Sequence, residues 1–279
     1  MAGSECAVVL TAGFGSRMFP VTAVVPKSLM PVANLPVLHY VLADLVAAGV
    51  RDIAIVVDRG DRAIREYVMG APTVRRTLDA RGWSAKYQAI AEAHAALADA
   101  AFTFIEQDVT GDYGTAVPAR LAADFVAGRT CFYLSGDDLL MPSGGGPNVA
   151  DFDSLRTAAA SRGVAMQVAE VPPGRAHLYG MVEFRRHGAT AELVSLAEKQ
   201  GSARSSYANI SRYYFEPAAF SAVTSVKPNP HTGELMITDA LILLQQEGPV
   251  GVSVASGRYF DCGSVDGWHQ ANVAMAASR

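Results

Sequence analysis

The chain has 279 residues, half of them hydrophobic, and a formal net charge of −4, which is enough apolar material for one large α/β domain, or a domain with a small appendage. The mildly acidic balance and the lack of a basic block argue against a nucleic-acid partner, and no apolar stretch is long enough to span a membrane. Cys6, Cys131 and Cys262 lie far apart without zinc spacing, and the N-terminus lacks the basic start and apolar core of a signal peptide, so a reduced, cytoplasmic setting is expected.

The first predicted element is a strand over Ala7-Val8-Val9-Leu10, an apolar, β-branched run suited to burial on both faces. It breaks at Thr11-Ala12-Gly13-Phe14-Gly15-Ser16, where two glycines and a hydroxyl let backbone N–H groups approach a ligand. Arg17 and Lys27 follow, and two cations on a glycine loop after a buried strand read as a polyphosphate cradle. A dinucleotide fold wants a third glycine where Met18 stands, and a helix where Pro20 and Pro26 keep the chain irregular. A P-loop wants Gly-Lys-Ser/Thr, and Gly15-Ser16-Arg17 is not that. A plain strand-to-helix turn is the bland alternative, and the spacing of Arg17, Pro26-Lys27 and Pro31 weighs against it.

Gly13-x-Gly15-Ser16-Arg17-Met18, followed by Pro26-Lys27-x-x-Met30-Pro31, resembles the opening of the sugar-1-phosphate nucleotidylyltransferases, in particular the bacterial glucose-1-phosphate uridylyltransferases. Members usually carry Thr where this chain has Ser16, which keeps the hydroxyl. The resemblance implies an α/β, Rossmann-like fold: a mostly parallel mixed sheet flanked by helices, of the nucleotidyltransferase and glycosyltransferase-A kind. It implies a single domain over residues 1–279, with a nucleotide-binding part at about 1–140 and a sugar-phosphate-binding part at about 141–279. It also implies nucleotide contacts from Ala12, Gly13, Gly15 and Ser16, and catalytic roles for Arg17 and Lys27 on the triphosphate.

Further along, residues 34–48 have apolar positions at helical spacing with Gly49 as the stop, and 52–57 form a second buried strand. A strand, a crossover helix and a strand imply a parallel pair. His39, on that helix, reads as packed rather than catalytic. Residues 61–97 are helix-forming, with breaks at Gly70-Ala71-Pro72 and Gly82; the uridylyltransferases carry a helical insertion here, and Trp83 is expected to anchor it. A strand over 102–106 runs into Gln107, and a helix is expected over 115–126 with Thr115 near its cap. The resemblance places Gln107 on the pyrimidine base, a primary amide offering both donor and acceptor, and puts Gly114 in the adjoining nucleotide turn. Gly111-Asp112-Tyr113-Gly114 replaces the family's Lys-Gly-Leu-Gly-like turn, so a positive charge near the nucleotide is lost.

The strand TCFYL, residues 130–134, ends in Ser135-Gly136-Asp137-Asp138. Carboxylates at the carboxyl end of a parallel strand face the ligand crevice. Asp137 matches the family's metal-binding aspartate; Asp138 is additional and is expected by default to cap a turn, with a reach to the metal through water as the alternative. Residues 143–148, SGGGPN, read as a loop. Strands follow over 164–171, from 179 and over 192–198, and Gly180 would let a sugar approach closely. Glu198-Lys199 resembles the family's Glu-Lys pair, which implies Glu198 on sugar hydroxyls and Lys199 on the sugar phosphate; Ala197 and Gln200 replace the usual Val and Pro. A strand over 209–215 and a helix over 217–223 precede Gly233-Glu234-x-x-Ile237-Thr238-Asp239-Ala240, whose Thr238 and Asp239 read as helix caps or as support for the sugar end. After a strand over 250–255, Asp261-Cys262-Gly263 matches the family's Asp-x-Gly with the second metal aspartate, and a helix over 265–277 closes the chain.

The implied reaction joins a nucleoside triphosphate, UTP favoured, to a sugar 1-phosphate, glucose 1-phosphate favoured, and releases pyrophosphate. Asp137 and Asp261 are hard oxygen ligands suited to Mg²⁺, Arg17 and Lys27 would balance the triphosphate, and Lys199 would position the attacking phosphate. A thymidylyl transfer, another sugar or cyclitol phosphate, a homo-oligomeric state and a non-catalytic nucleotide-sugar sensor stay open at this point, the last opposed by the presence of both aspartates and all three cations. A nucleotide-dependent oxidoreductase is disfavoured by Met18.

Overall fold

The computed structural model describes residues 5–160, 162–188, 190–198, 205–230 and 232–277. β1 (Cys6–Leu10) comes from the apolar run CAVVL, and a proline-rich stretch of single 3-10 turns leads from it to a small hairpin, β2 (Pro31–Val32) and β3 (Leu35–Pro36). α1 (Val37–Ala47) ends before Gly49, as predicted, but starts later than the apolar spacing over 34–48 suggests, because Leu35 and Pro36 are taken up by the hairpin. β4 (Asp52–Asp58) then lies parallel to β1, with Cys6 opposite Asp52.

The insertion consists of α2 (Ala63–Val68), α3 (Pro72–Ala80) and α4 (Gln88–His94), broken at the predicted Gly-Ala-Pro and near Gly82. Trp83 does not anchor it: the indole is 45% exposed, with the Lys86 ammonium 4.3 Å from its ring centroid. Tyr67 and His94 make the contact instead. The Tyr67 hydroxyl lies 2.9 Å from Nδ1 of His39 on α1, and His94 Nε2 lies 2.6 Å from the Tyr67 carbonyl oxygen. His39 is packed, as its place on an apolar helix implied.

β5 (Ala101–Gln107) follows, then α5 (Val117–Leu121) and α6 (Ala123–Val126). The single helix expected over 115–126 starts later and is interrupted at Ala122, which takes φ −89° and ψ 3°. β6 (Cys131–Ser135) leads into β7 (Asp138–Met141), and α7 (Val149–Ala159) begins after Asn148, whose side chain accepts the Asp151 N–H. The remaining elements are β8 (Val164–Glu170), β9 (Gly180–His187), β10 (Thr190–Glu198), β11 (Tyr207–Phe215), α8 (Pro217–Thr224), α9 (Ile237–Glu247), β12 (Gly251–Val254), β13 (Arg258–Asp261) and α10 (Val265–Ala277). Sequence periodicity missed β7, β13 and α7. The strands are four residues each, too short for an alternation to register.

Nine strands form one sheet in the order β5-β4-β1-β6-β11-β8-β12-β10-β9, in which only β11 and β10 run against the rest. It is the mostly parallel mixed sheet that the resemblance implied. From β1 the chain moves outward to β4 and β5, then returns to the other side of β1 as β6. In open α/β sheets such a switch opens a crevice beyond the carboxyl ends of the two strands. Apolar clusters fill both faces of the sheet, around Val8, Tyr133 and Phe215 on one and around Val9, Leu42 and Phe132 on the other. All three cysteines are buried; Cys6 and Cys131 are Cα partners across β1 and β6, and Cys262 joins a third cluster under α10. Apart from the sheet, β7 and β13 pair as an antiparallel ribbon that sets Asp138 opposite Asp261. No helix among the described residues is long and apolar enough to cross a membrane.

Candidate active site

A cleft of about 400 Å³ opens where the β1–β6 switch places it. The glycine loop forms one wall, with Ala12, Gly13, Gly15, Ser16, Arg17 and Lys27 all lining it. Met18, the residue that spoils a dinucleotide motif, is buried and pins the loop to the core. Arg17 sits on a single 3-10 turn, Ser16–Met18, and Lys27 on another, Lys27–Leu29. The irregular backbone forced by the prolines thus aims both cations back across the cleft.

Each cation meets one of the two predicted aspartates. Arg17 grips Asp261 with both nitrogens of its fork, at 2.7 and 3.2 Å, and Lys27 Nζ lies 2.9 Å from Asp137 Oδ2. Burial alone would raise the Asp137 carboxyl, but Lys27, the Ser135 hydroxyl and Arg17 outweigh it and hold it below the usual carboxylate range. Burial likewise opposes the charge on Lys27, and Asp137 overcomes it, so the ammonium is held above its ordinary pKa. Gly263 explains how the two carboxylates meet. A Cβ there would lie 2.2 Å from Asp137 Oδ2 and 3.2 Å from Asp261 Oδ1, so only glycine lets both oxygens border one spot. Its N–H donates to Asp261 Oδ1 at 3.1 Å.

Asp138 does not cap a turn. It opens β7, is buried, and its carboxylate accepts a 2.6 Å hydrogen bond from the Tyr259 hydroxyl. Burial, then the charges of Asp137 and Asp261, push its carboxyl up to about 8. The fully buried Arg212 donates to its carbonyl oxygen at 3.3 Å.

At the far wall Gln107 ends β5 and lines the cleft; it is buried, and its Oε1, itself out of contact with solvent, has no hydrogen-bond partner among the described residues. Tyr113 and Gly114 lie beside it, and a Cβ on Gly114 would fall 2.4 Å from the Leu235 carbonyl oxygen, so that position too admits only glycine. Thr115, expected at the cap of its own helix, instead serves α9: its Oγ1 accepts the Ile237 N–H at 3.0 Å. Thr238 and Asp239 accordingly fall inside the first turn of α9; Thr238 lines the cleft, and Asp239 accepts from Asn229 at 3.2 Å. Gly180 starts β9 at the cleft and is the Cα partner of Glu198 on β10, so those two predicted residues come together. Lys199 lies outside the described residues.

A model of the nucleotidyl transferase family matches residues 6–278. The chain belongs to the nucleotidyl transferases. It is 28% identical over 260 residues to the UTP–glucose-1-phosphate uridylyltransferase of Bacillus subtilis (strain 168), covering 92% of this chain and 86% of that protein. The same fold occurs in a UTP-bound UGPase from Acinetobacter baumannii (TM-score 0.82, 23% identity, 99% of this chain and 94% of that one). It occurs also in a UDP-glucose pyrophosphorylase complexed with UDP-glucose (TM-score 0.81, 22% identity, 99% and 100%).

In this nucleotidyl transferase the donor set around Gly263 fits a hard divalent cation. Two carboxylate oxygens converge there, and phosphates or water would complete the shell, since no group of three or more His, Cys, Asp or Glu among the described residues is arranged to hold an ion alone. Four residues at the site escaped sequence reasoning: Tyr179, whose hydroxyl reaches Asp261 at 3.4 Å, Tyr259, Arg212 and Ser211. The pairing of β7 with β13 would have flagged Tyr259, but nothing local in sequence announces that pairing.

Proposed function

We propose that this protein joins UTP to glucose 1-phosphate, giving UDP-glucose and pyrophosphate. The observation that carries this reading is the crossed pair of ion pairs, Arg17 with Asp261 and Lys27 with Asp137, in one cleft that is also lined by Gln107, whose buried amide oxygen has no partner among the described residues. Two cations are already aimed into the space where a triphosphate must lie, and a purely structural cleft has no use for them. The names and ligands of the Bacillus and Acinetobacter relatives support the choice of UTP and glucose 1-phosphate.

In this reading an oxygen of the sugar phosphate attacks the α-phosphorus, the new O–P bond forms opposite the bond to the β-phosphate, and pyrophosphate departs with that bond's electrons. The attacking oxygen is ionised near neutral pH, so no protein nucleophile is required. Arg17 and Lys27 turn from the carboxylates to the triphosphate and the leaving pyrophosphate; the glycine loop gives backbone N–H groups to the phosphates. Asp137 and Asp261 would hold Mg²⁺, which when bound adds positive charge against the phosphates. Gln107 Oε1 would accept the imide N–H of uracil, with Gly114 close to the base. Gly180 and Glu198 would take the sugar and Lys199 its phosphate. The chain then acts as a single domain, with a nucleotide half at about 1–140 and a sugar-phosphate half at about 141–279. Self-association and a cytoplasmic setting belong to the same reading. The test is a matrix of nucleoside triphosphates against sugar 1-phosphates scored by pyrophosphate release. UTP with glucose 1-phosphate should give the highest kcat/KM, and a purine triphosphate used equally well would overturn the role of Gln107.

A further inference from the structure

We propose that Ser211 determines specificity for the sugar 1-phosphate, its hydroxyl hydrogen-bonding a hydroxyl of the sugar; the inference rests on the reading just given. β11 loses register against β8 between Asn209 and Tyr213, and within that bulge Ser211 takes φ +51°. That is the left-handed region, where any side chain costs energy relative to glycine. Strain of this kind persists when its surroundings over-determine it, and it gathers at functional sites. The strained residue lines the cleft, whereas its neighbour Arg212 is fully buried beneath Asp138.

The polar groups around Ser211 are otherwise engaged. Asn209 Oδ1 accepts the Ser211 N–H at 3.1 Å, and the Asn209 side chain and Tyr213 hydroxyl lie within 2.8 and 3.0 Å of each other. These contacts hold the bulge. The Ser211 hydroxyl has no hydrogen-bond partner among the described residues, and it can both donate and accept. Its position suits a sugar. β11 pairs on one side with β6, which runs into Asp137, and through Ala208–Met181 with β9, which begins at Gly180. β11 thus carries Ser211 between the strand that leads to Asp137 and the strand that begins at Gly180, and all three residues line one cleft. A glycine would meet the backbone requirement without strain; what serine adds is the hydroxyl.

Two variants separate backbone from hydroxyl. Ser211→Gly relieves the strain and removes the hydroxyl; Ser211→Ala keeps the strain and removes the hydroxyl. Both should raise KM for glucose 1-phosphate about three- to tenfold, as expected for one lost hydrogen bond, with KM for UTP changed less than about twofold on the same scale. Ser211→Gly should melt at the same temperature as the wild type or about 2–4 °C higher. Among mono-deoxyglucose 1-phosphates, the wild type should penalise one analogue, and both variants should lose that penalty. An active wild type whose variants keep the sugar KM, or in which only Ser211→Ala is impaired, or in which the UTP KM rises equally, overturns the inference alone. A wild type that releases no pyrophosphate from UTP and glucose 1-phosphate overturns the underlying reading and the inference with it.

Discussion

Asp137 and Asp261 each sit buried against a cation, and their value lies in that opposition. Replacing one leaves a buried or half-buried positive group facing a neutral amide. In the proposed site, Asp137→Asn and Asp261→Asn should each lower kcat by more than about a hundredfold. The fold should survive: loss of one charge-assisted contact costs roughly 1.5–3 kcal/mol, less than a domain's total stability. Circular dichroism and thermal melts check the second point, and activity titrated with Mg²⁺ the first. Near-normal turnover by either variant at low Mg²⁺ would remove that residue from the proposed metal pair. Both aspartates were legible in sequence because each ends a strand and sits in a motif. The hydroxyls that hold them were not. Ser135 reaches Asp137 from only two residues away, whereas Tyr179 meets Asp261, and Tyr259 the neighbouring Asp138, only through the tertiary fold.

At the scale of elements, the insertion is joined to α1 through His39, Tyr67 and His94. Burial, and then the proximity of His94, depress the His39 imidazole to about 4. The folded protein therefore excludes a proton that the unfolded chain accepts near pH 6.5. The sign follows: this contribution is fully present above about pH 6.5 and is lost as pH falls toward about 4. It amounts to roughly 2–3 kcal/mol. Urea melts between pH 7 and pH 4 should show that decline, and His39→Gln, which keeps an acceptor for Tyr67, should flatten it. An unchanged slope in the variant would mean that His39 titrates freely. The insertion's helices and breaks could be read from Gly70, Pro72 and Gly82, but its anchor could not. Trp83 looked apolar enough to dock, yet it lies beside Arg81 and Lys86 and stays half exposed. α7 left a faint signal, Asn148 three residues before Asp151, which the preceding glycines overshadowed.

For the molecule as a whole, the run of buried parallel strands and the crossover after β1 were legible, because burial on both faces writes a continuous apolar run. The reversed strands β10 and β11 and the β7–β13 ribbon were not, since the direction and partner of a strand are set by distant chain. That long-range assembly is what brings residues of the second half onto the carboxyl end of the first. If the proposed division into a nucleotide half and a sugar-phosphate half is correct, kinetic constants should divide in the same way. Lys199→Ala should raise KM for the sugar 1-phosphate about tenfold to a hundredfold, the cost of one charge-assisted contact, and leave KM for UTP nearly unchanged. Arg17→Ala should do the reverse. Steady-state kinetics with each substrate varied in turn decides it, and a Lys199 variant that moved only the UTP constant would exchange the two assignments.

The buried thiols give the molecule two internal clocks. Cys6 and Cys131 face one another across β1 and β6, and Cys262 stands between Asp261 and Gly263, just past the end of the acid-bearing ribbon. A thiol reagent reaches none of them until the surrounding structure opens. The rate at which Cys262 is alkylated therefore times the lifting of the ribbon, and the rate at Cys6 and Cys131 times the parting of β1 from β6. The gap between the two rates measures how far the site can breathe while the sheet stays shut.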